Sequence, residues 1–215
     1  MAKQAYVYSG TDWVPLASEV TNLSDYQLSS GVGLKNVIPS SVAVGSGSGS
    51  VSALGTVTFT GASSVSLNDV FSSTYDNYQI VMNLTSSAND KIRLRMRVSG
   101  ADDTTSNYSN HMSLLSSTST SYLGQLATAT TSFLITSSDG TDSVKGVDLT
   151  LYNPFTTERS LITGIHVCSG TSGAPTYYGG TTTGALNLTT SFTGFTIFPE
   201  SGTVTGTIRV YGYAN

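Results

Sequence analysis

Apolar and polar residues alternate along much of the chain. The clearest case is 91–98 (KIRLRMRV), where Ile92, Leu94 and Met96 are separated by arginines. A period of two places one set of side chains on a buried sheet face and the other on a solvated face, as in antiparallel sheets. The pattern predicts a strand here and further strands at 56–60, 78–85, 132–136, 144–152, 161–168, 192–198 and 203–213.

These segments define the expected fold class. Strong helix formers are sparse, and Ser and Thr fill the spaces between apolar residues. Both properties favour strand over helix. About eight or nine strands separated by Gly, Asn, Asp and Ser turns fit an antiparallel β-sandwich or jelly roll. The predicted class is therefore all-β.

The segment GSGSGS at 45–50 marks the predicted boundary in the chain. Alternating Gly and Ser offer little side chain to bury, which is typical of a flexible linker, although a long surface loop of one domain is the alternative. We predict an N-terminal module at 1–44, a linker at 45–53 and a sandwich domain at 54–215. Because a module of about forty residues is too small for a core of its own, we expect it to depend on a partner surface or on other copies.

A β-hairpin is predicted inside the N-terminal module. Tyr6–Tyr8 and the pair Trp13-Val14 are strand formers, and the SGTD between them has turn chemistry. Pro15 limits how far the second strand can pair.

Composition excludes several classes of protein. The 215 residues include 35 Ser, 32 Thr and 22 Gly, only 10% are charged, and the net charge is -4. An isoelectric point near 4.9 argues against a broad basic surface for nucleic acid. No apolar run approaches the roughly 18 residues of a membrane span. We therefore expect neither nucleic-acid binding nor membrane insertion, and the single cysteine, Cys168, excludes an internal disulfide.

The sequence carries no recognisable catalytic or metal-binding pattern. No Ser has Gly two residues before and after it, as a nucleophile elbow requires, and the three Glu form no evident pair for glycoside hydrolysis. His166 and Cys168 are too few ligands for structural zinc. Asp102-Asp103 and 139–142 lack the spacing of a calcium loop. We predict a non-enzymatic protein without catalytic, cofactor-binding or metal-binding residues.

Two features point to binding. Arg93, Arg95 and Arg97 are three of only five arginines, and alternation places them on one sheet face. Such a row can hold phosphate, carboxylate or the acidic strip of a partner; the alternative is a solvated face that discourages aggregation. Tyr177 and Tyr178 fall in a predicted loop, where they can stack on sugar rings, fill an interface or pack back on the sandwich.

Two stretches resemble known proteins. Residues 5–17 (AYVYSGTDWVPLA) resemble the short Tyr/Trp hairpin peptide common in tail-fibre-like and other structural proteins of tailed bacteriophages. Residues 71–100, together with the ending 206–213 (GTIRVYGY), resemble a β-sandwich module that recurs in phage tail fibres and other virion appendages. This family brings no catalytic residues to the chain.

The resemblance implies a non-enzymatic virion structural protein, assembled in the cytoplasm of a bacterial host. The leading expectation is a tail fibre or receptor-binding appendage subunit attached through 1–44, with Tyr6, Tyr8 and Trp13 as apolar anchors. Expected partners are other virion proteins, further copies of the chain (a trimer, as fibres are usually built) and a host surface glycan. The alternative is a capsid decoration or cement protein on the phage head. A carbohydrate-binding or carbohydrate-active protein is a third hypothesis.

Overall fold

In a computed structural model, the chain divides into two compact units, Met1–Val32 and Gly33–Asn215. The structure describes residues 6–8, 13–15, 33–88, 90–116, 123–137, 144–169 and 177–214. These residues form strands, turns and loops without any α-helix, and the antiparallel sheets of the second unit pack against each other. The predicted all-β sandwich class is confirmed. Over these ranges, no helix is long and apolar enough to cross a membrane.

The first unit contains a two-stranded antiparallel hairpin, as the sequence predicts. Strand β1 (Tyr6–Tyr8) pairs with β2 (Trp13–Pro15), so that Tyr8 lies opposite Trp13 and Tyr6 opposite Pro15. Aromatic and β-branched residues favour this extended backbone. Pro15 ends the second strand, consistent with its missing N–H donor.

Sixteen strands form the described part of the second unit. In chain order they are β3 (Leu34–Val37), β4 (Ser41–Val44), β5 (Ser48–Val51), β6 (Val57–Ala62), β7 (Val65–Asn68), β8 (Asn77–Ser86), β9 (Ile92–Val98), β10 (Ala101–Asp102), β11 (Tyr108–Ser116), β12 (Leu123–Thr130), β13 (Phe133–Leu134), β14 (Val144–Tyr152), β15 (Ser160–Ser169), β16 (Tyr177–Leu186), β17 (Gly194–Pro199) and β18 (Val204–Tyr213).

The strands of this unit form two antiparallel sheets. The six-stranded sheet has the order β10-β9-β17-β7-β4, with β13 also paired to β9. The ten-stranded sheet has the order β12-β11-β16-β15-β14-β8-β18-β6-β5, with β3 also paired to β18. The long central strands β8, β14, β15 and β18 have neighbours on both sides, which satisfies their backbone hydrogen-bonding groups.

One apolar layer fills the space between the two sheets. Inward-facing residues of both sheets form one large cluster in this layer, and Met112, Leu114 and Leu134 form a smaller one. On β9 the buried residues are the ones that the alternation predicts: Ile92, Leu94 and Met96. On β8 they are Tyr78, Ile80, Met82 and Leu84. Removal of this apolar area from water is the main term that stabilises the sandwich.

Tyr108 links the two sheets through its hydroxyl. It lies on β11 of the ten-stranded sheet, and its ring packs edge-on against Phe133 of the six-stranded sheet. The backbone N–H of Met96 donates to the Tyr108 hydroxyl at 3.0 Å, and that hydroxyl donates to the Asp103 carbonyl at 3.2 Å. The hydroxyl thus accepts the hydrogen bond of the Met96 N–H. Met96 lies on β9 between the residues that pair with β13 and those that pair with β10.

The Gly/Ser segment differs from the predicted linker. Residues Ser48–Val51 are strand β5, paired with β6, while β3 and β4 pair with β18 and β7. The Ser46 hydroxyl donates to the Gly61 carbonyl and accepts from the Ser63 N–H, both at 2.9 Å. The boundary between the units accordingly follows Val32, not residue 44. Backbone pairing with β6 orders this segment. Its small side chains have no apolar pattern, so the sequence did not predict a strand here.

One glycine of that segment is required by its turn. Gly47 has a φ of +71°, and a Cβ at this position would collide with the Thr60 carbonyl oxygen. Glycine adopts this backbone conformation without the steric penalty that other residues incur. Position 47 of the Gly/Ser segment therefore requires glycine.

Five strands of the larger sheet were not predicted from the sequence: β3, β5, β11, β12 and β16. Of these, β16 (YYGGTTTGAL) consists mostly of Gly and Thr, a composition that resembles a turn. It is held as a strand by β11 on one side and β15 on the other. A Cβ at Gly180 would collide with the Ser113 carbonyl oxygen, so close backbone approach requires glycine there.

We expect alkaline pH to destabilise the sandwich partly through Tyr108. Burial raises the pKa of the Tyr108 hydroxyl, and burial also raises the pKa of Tyr78. A raised folded-state pKa contributes stability that is complete below the unfolded value of about 10 and is lost as pH rises above it. Urea unfolding of the wild type should give a free energy that falls above about pH 10.

Tyr108→Phe tests this assignment. The substitution should lower the free energy of unfolding at pH 7 by about 1–2 kcal/mol, because the Met96 N–H loses its buried partner. It should also make the alkaline decline shallower. Tyr213→Phe, at a more exposed tyrosine, is the matched control and should leave stability at pH 7 unchanged. An alkaline slope identical in Tyr108→Phe and the wild type would contradict the prediction.

Candidate functional site

The three predicted arginines lie on one face, as alternation requires. Arg93, Arg95 and Arg97 project from β9 on the side opposite the core, and we call this outer surface of the six-stranded sheet the arginine face. Residues of the neighbouring strand β17 lie beside them, with Phe198 opposite Arg93 and Thr196 opposite Arg95. The face therefore combines charge, hydroxyl groups and one aromatic ring.

Arg97 is the centre of a closed polar network. Its guanidinium forms an ion pair with Asp102 and donates to the hydroxyls of Ser66 and Thr196 at 3.2 and 3.0 Å. Thr196 in turn donates to Asp102 at 2.7 Å. The Arg97 side chain is only 12% exposed. This end of the row is occupied by contacts within the chain, and it joins β7, β9, β10 and β17.

Arg93 and Arg95 border a pocket of about 440 Å³. The other walls are Phe198, Glu200 and the turn at 130–132. Arg93 forms an ion pair with Glu200, and the guanidinium of Arg95 lies 4.3 Å from the centroid of the Phe198 ring. The pocket thus presents two cations, one carboxylate, hydroxyl groups and an aromatic surface, which is the chemistry of a small polar ligand site.

The two predicted tyrosines start a strand and do not lie in a loop. Tyr177 and Tyr178 are the first residues of β16, so they point to opposite faces of the sheet. Tyr177 is half-exposed on the outer face, whereas Tyr178 lies on the side of the buried Thr182 and Leu186. The structure therefore separates this aromatic pair, and only Tyr177 is presented outward.

The predicted anchors Tyr6, Tyr8 and Trp13 belong to the hairpin β1–β2. Their side chains lie outside the described part of the structure. Backbone register alone places Trp13 directly opposite Tyr8.

A second surface was not predicted from the sequence. The outer face of the ten-stranded sheet carries exposed apolar side chains, and we call this surface the apolar face. Ile165, Val167 and Val144 are 61%, 53% and 54% exposed, and Leu161 and Tyr177 extend the patch. A depression of about 260 Å³ lies between Val81 and Val167, over Gly146. In the sequence, residues 161–168 of β15 (LITGIHVC) are apolar on both faces, a pattern that fits a doubly buried strand equally well.

Two charged residues flank the depression in the apolar face. Arg209 of β18 and Asp148 of β14 both lie directly beside Val81 of β8, on opposite sides. Since neighbouring strands are about 4.8 Å apart, the two residues are separated by roughly 10 Å along this row. Both Asp148 carboxylate oxygens accept from Gln79, at 2.8 and 2.9 Å. The face therefore presents an apolar centre with one positive and one negative group beside it.

The pair His166 and Cys168 is buried on the inner face of β15. Lys145, directly opposite Cys168 and fully buried, donates to the Ser137 carbonyl at 3.5 Å. Within the described ranges, no three His, Cys, Asp or Glu side chains come together in a way that could hold a metal ion. The predicted turn 139–142 lies outside the described residues, and Asp102 is bound by Arg97.

Comparison with protein-family models, with curated proteins and with solved structures gave no significant match to this chain. The two outer faces of the sandwich and the sequence resemblance therefore remain as the features that indicate a function. The arginine face offers a polar pocket beside a closed ionic network. The apolar face offers a surface suited to protein contact.

We expect Arg97 to be a structural residue. Arg97→Ala removes the partner of Asp102 and two hydroxyl contacts, so it should lower the free energy of unfolding by about 1–3 kcal/mol. Arg209→Ala removes the same charge from an exposed position and should change it by less than about 0.5 kcal/mol. Urea titration of the two variants measures the difference. If both variants lowered the free energy of unfolding by the same small amount, the structural role of Arg97 would be refuted.

Proposed function

We propose that this chain is a non-enzymatic bacteriophage virion structural protein, a tail fibre or receptor-binding appendage subunit. The phage context comes from the resemblance of 5–17 and 71–100 to virion proteins. The hairpin in a separate small unit supports the division into an attachment module and an outward sandwich. On this proposal the protein is assembled in the bacterial cytoplasm and functions in the virion.

The observation that carries the assembly role is the apolar face. Exposed aliphatic side chains are normal when scattered, whereas a contiguous patch marks an interaction surface. Here Ile165, Val167 and Val144 lie on adjacent strands β14 and β15, with Tyr177 on the next. Burial of this patch against another protein would remove apolar area from water, which is the main driving force of association.

The occupant that we propose for this face is another copy of the chain. Arg209 and Asp148 stand on either side of Val81, so a facing copy can place its Asp148 against Arg209 and its Arg209 against Asp148. Complementary charges of this kind set orientation more than affinity. Five strands, β18 to β16, span roughly 24 by 30 Å, close to the roughly 800 Å² per partner of a stable interface. This reciprocal contact has two-fold symmetry and gives a dimer, whereas the trimer expected from fibre architecture would need a head-to-tail contact between copies.

The second candidate is a capsid decoration protein on the phage head. The breadth of the ten-stranded sheet favours it, because a wide, weakly charged face suits contact with a protein lattice. The two candidates share the virion context and differ in location. A carbohydrate-binding or carbohydrate-active protein unrelated to phage is a third hypothesis, to which the pocket on the arginine face is relevant.

Ile165→Lys tests self-association. The substitution places a charge in the centre of the patch, so it should weaken the oligomer by roughly tenfold or more. Leu54→Lys is the matched control, because Leu54 is 77% exposed in the turn between β5 and β6, outside the apolar patch, and it should leave association unchanged. Light scattering over a concentration series measures the mass. A wild-type monomer at all concentrations, or an unaffected Ile165→Lys oligomer, would refute the contact.

Virion incorporation tests the proposed function itself. Purified phage particles should contain the full-length chain, and Trp13→Ala should reduce its copy number while the sandwich keeps its unfolding temperature, because the anchors lie in the separate unit. Quantitative mass spectrometry of particles gives the copy number, and antibody labelling in electron micrographs gives the location. Labelling at tail tips supports the appendage, and labelling over heads supports decoration. Particles without the chain would exclude both.

A further inference from the structure

The pocket on the arginine face has guanidinium groups that are already held in place. Arg93 Nε donates to Glu200 Oε1 at 2.6 Å, and Arg95 Nε donates to the Thr131 carbonyl at 3.0 Å. The Phe198 ring lies against the Arg95 guanidinium. Both guanidinium groups are therefore held through Nε, and that of Arg95 also by stacking on Phe198. A ligand would not have to order these side chains, which lowers the entropic cost of binding.

Hydrogen-bonding groups in this pocket remain available. Arg95 Nη2 makes only a long 3.4 Å contact with the Thr131 hydroxyl, and no atom in the described ranges accepts a hydrogen bond from Arg95 Nη1. On Glu200, Oε1 accepts a hydrogen bond from Arg93. Among the residues that the structure describes, none donates a hydrogen bond to Glu200 Oε2. The pocket thus offers a charged donor and a carboxylate acceptor side by side.

We propose that this pocket binds an acidic saccharide, a sugar ring that carries both a carboxylate and hydroxyl groups. Two arginines against one glutamate leave a local charge of +1, and Arg95 Nη1 and Nη2 can donate to a ligand carboxylate as a charge-assisted pair. Glu200 Oε2 and the Thr131 hydroxyl are left for the sugar hydroxyls, and Phe198 supplies apolar surface. The volume of about 440 Å³ lies within the usual range of small-ligand pockets.

The glutamate separates this ligand class from simple anions. A phosphate dianion in this pocket would be repelled by Glu200 more strongly than a single carboxylate charge is, and it lacks both the several hydroxyl groups and the ring face of a sugar. A neutral sugar would leave the Arg95 donors without a charged acceptor. That this saccharide belongs to a host receptor rests on the proposed function. Binding of the saccharide to the purified chain does not depend on the proposed function.

The test uses the full-length chain and three probes: a galacturonate trimer, its methyl ester and inorganic phosphate. Calorimetric or NMR titration at low salt should show that the acid binds roughly tenfold or more tightly than the ester, because the ester cannot form charge-assisted hydrogen bonds. Amide shifts in the wild type should change at 130–132, Phe198 and Glu200. Added salt should weaken binding, since the pocket is open to solvent.

Variants locate the site. Arg95→Gln should weaken binding of the acid by roughly tenfold, and Arg159→Gln, which removes the same charge from an exposed position between β14 and β15, should leave it unchanged. Thr131→Val is a second variant that keeps all charges and should weaken binding severalfold. Matching thermal unfolding midpoints establish that the variants are folded.

Several outcomes would overturn the proposal. These are no binding of the acid, equal binding of acid and ester, equal binding of phosphate, or full binding by Arg95→Gln. Failure here together with chain present in virions would remove the saccharide site and leave the structural role intact. Saccharide binding by a chain that is absent from virions would support the site and refute the virion role.

Discussion

The whole sandwich depends on one layer of apolar side chains buried between two sheets. Strands β8, β9, β14 and β18 contribute alternate residues to this layer, so each of them has a fixed inward and outward face. A shift of one residue in register would exchange the two faces, and this makes register strongly specified. Tyr108 adds a polar link across the layer, because its hydroxyl satisfies the Met96 N–H of the opposite sheet. The positions of all surface groups follow from this layer.

The two outer faces use this common core in different ways. On the arginine face, Arg97 and Asp102 form an internal ionic network, while Arg93 and Arg95 border a pocket with available donors and an acceptor. On the apolar face, aliphatic side chains of β14 and β15 stand exposed around a shallow depression. A charged pocket on one side and an apolar surface on the other suit a protein that contacts a polar ligand and a protein partner at the same time.

The candidate sites were predictable to unequal extents. Alternation in 91–98 placed the three arginines on one face, and the structure has them there. It could not show that Arg97 is bound by Asp102 and Thr196, since those partners come from other strands. The apolar face was missed because β15 is apolar on both sides, and a sequence without alternation does not distinguish a doubly buried strand from one with an exposed apolar face.

By itself, the sequence determined the all-β class, the hairpin at the N-terminus and the inward residues of β8 and β9, because these follow from local propensity and a period of two. Only the tertiary structure decided the status of Gly/Ser and Gly/Thr segments. Ser48–Val51 and Tyr177–Leu186 are strands because neighbouring strands supply their hydrogen bonds. The side chains within these two segments do not indicate this pairing. The pocket beside Arg95 likewise exists only because β9, β17 and the turn at 130–132 meet there, which pairing between distant segments establishes.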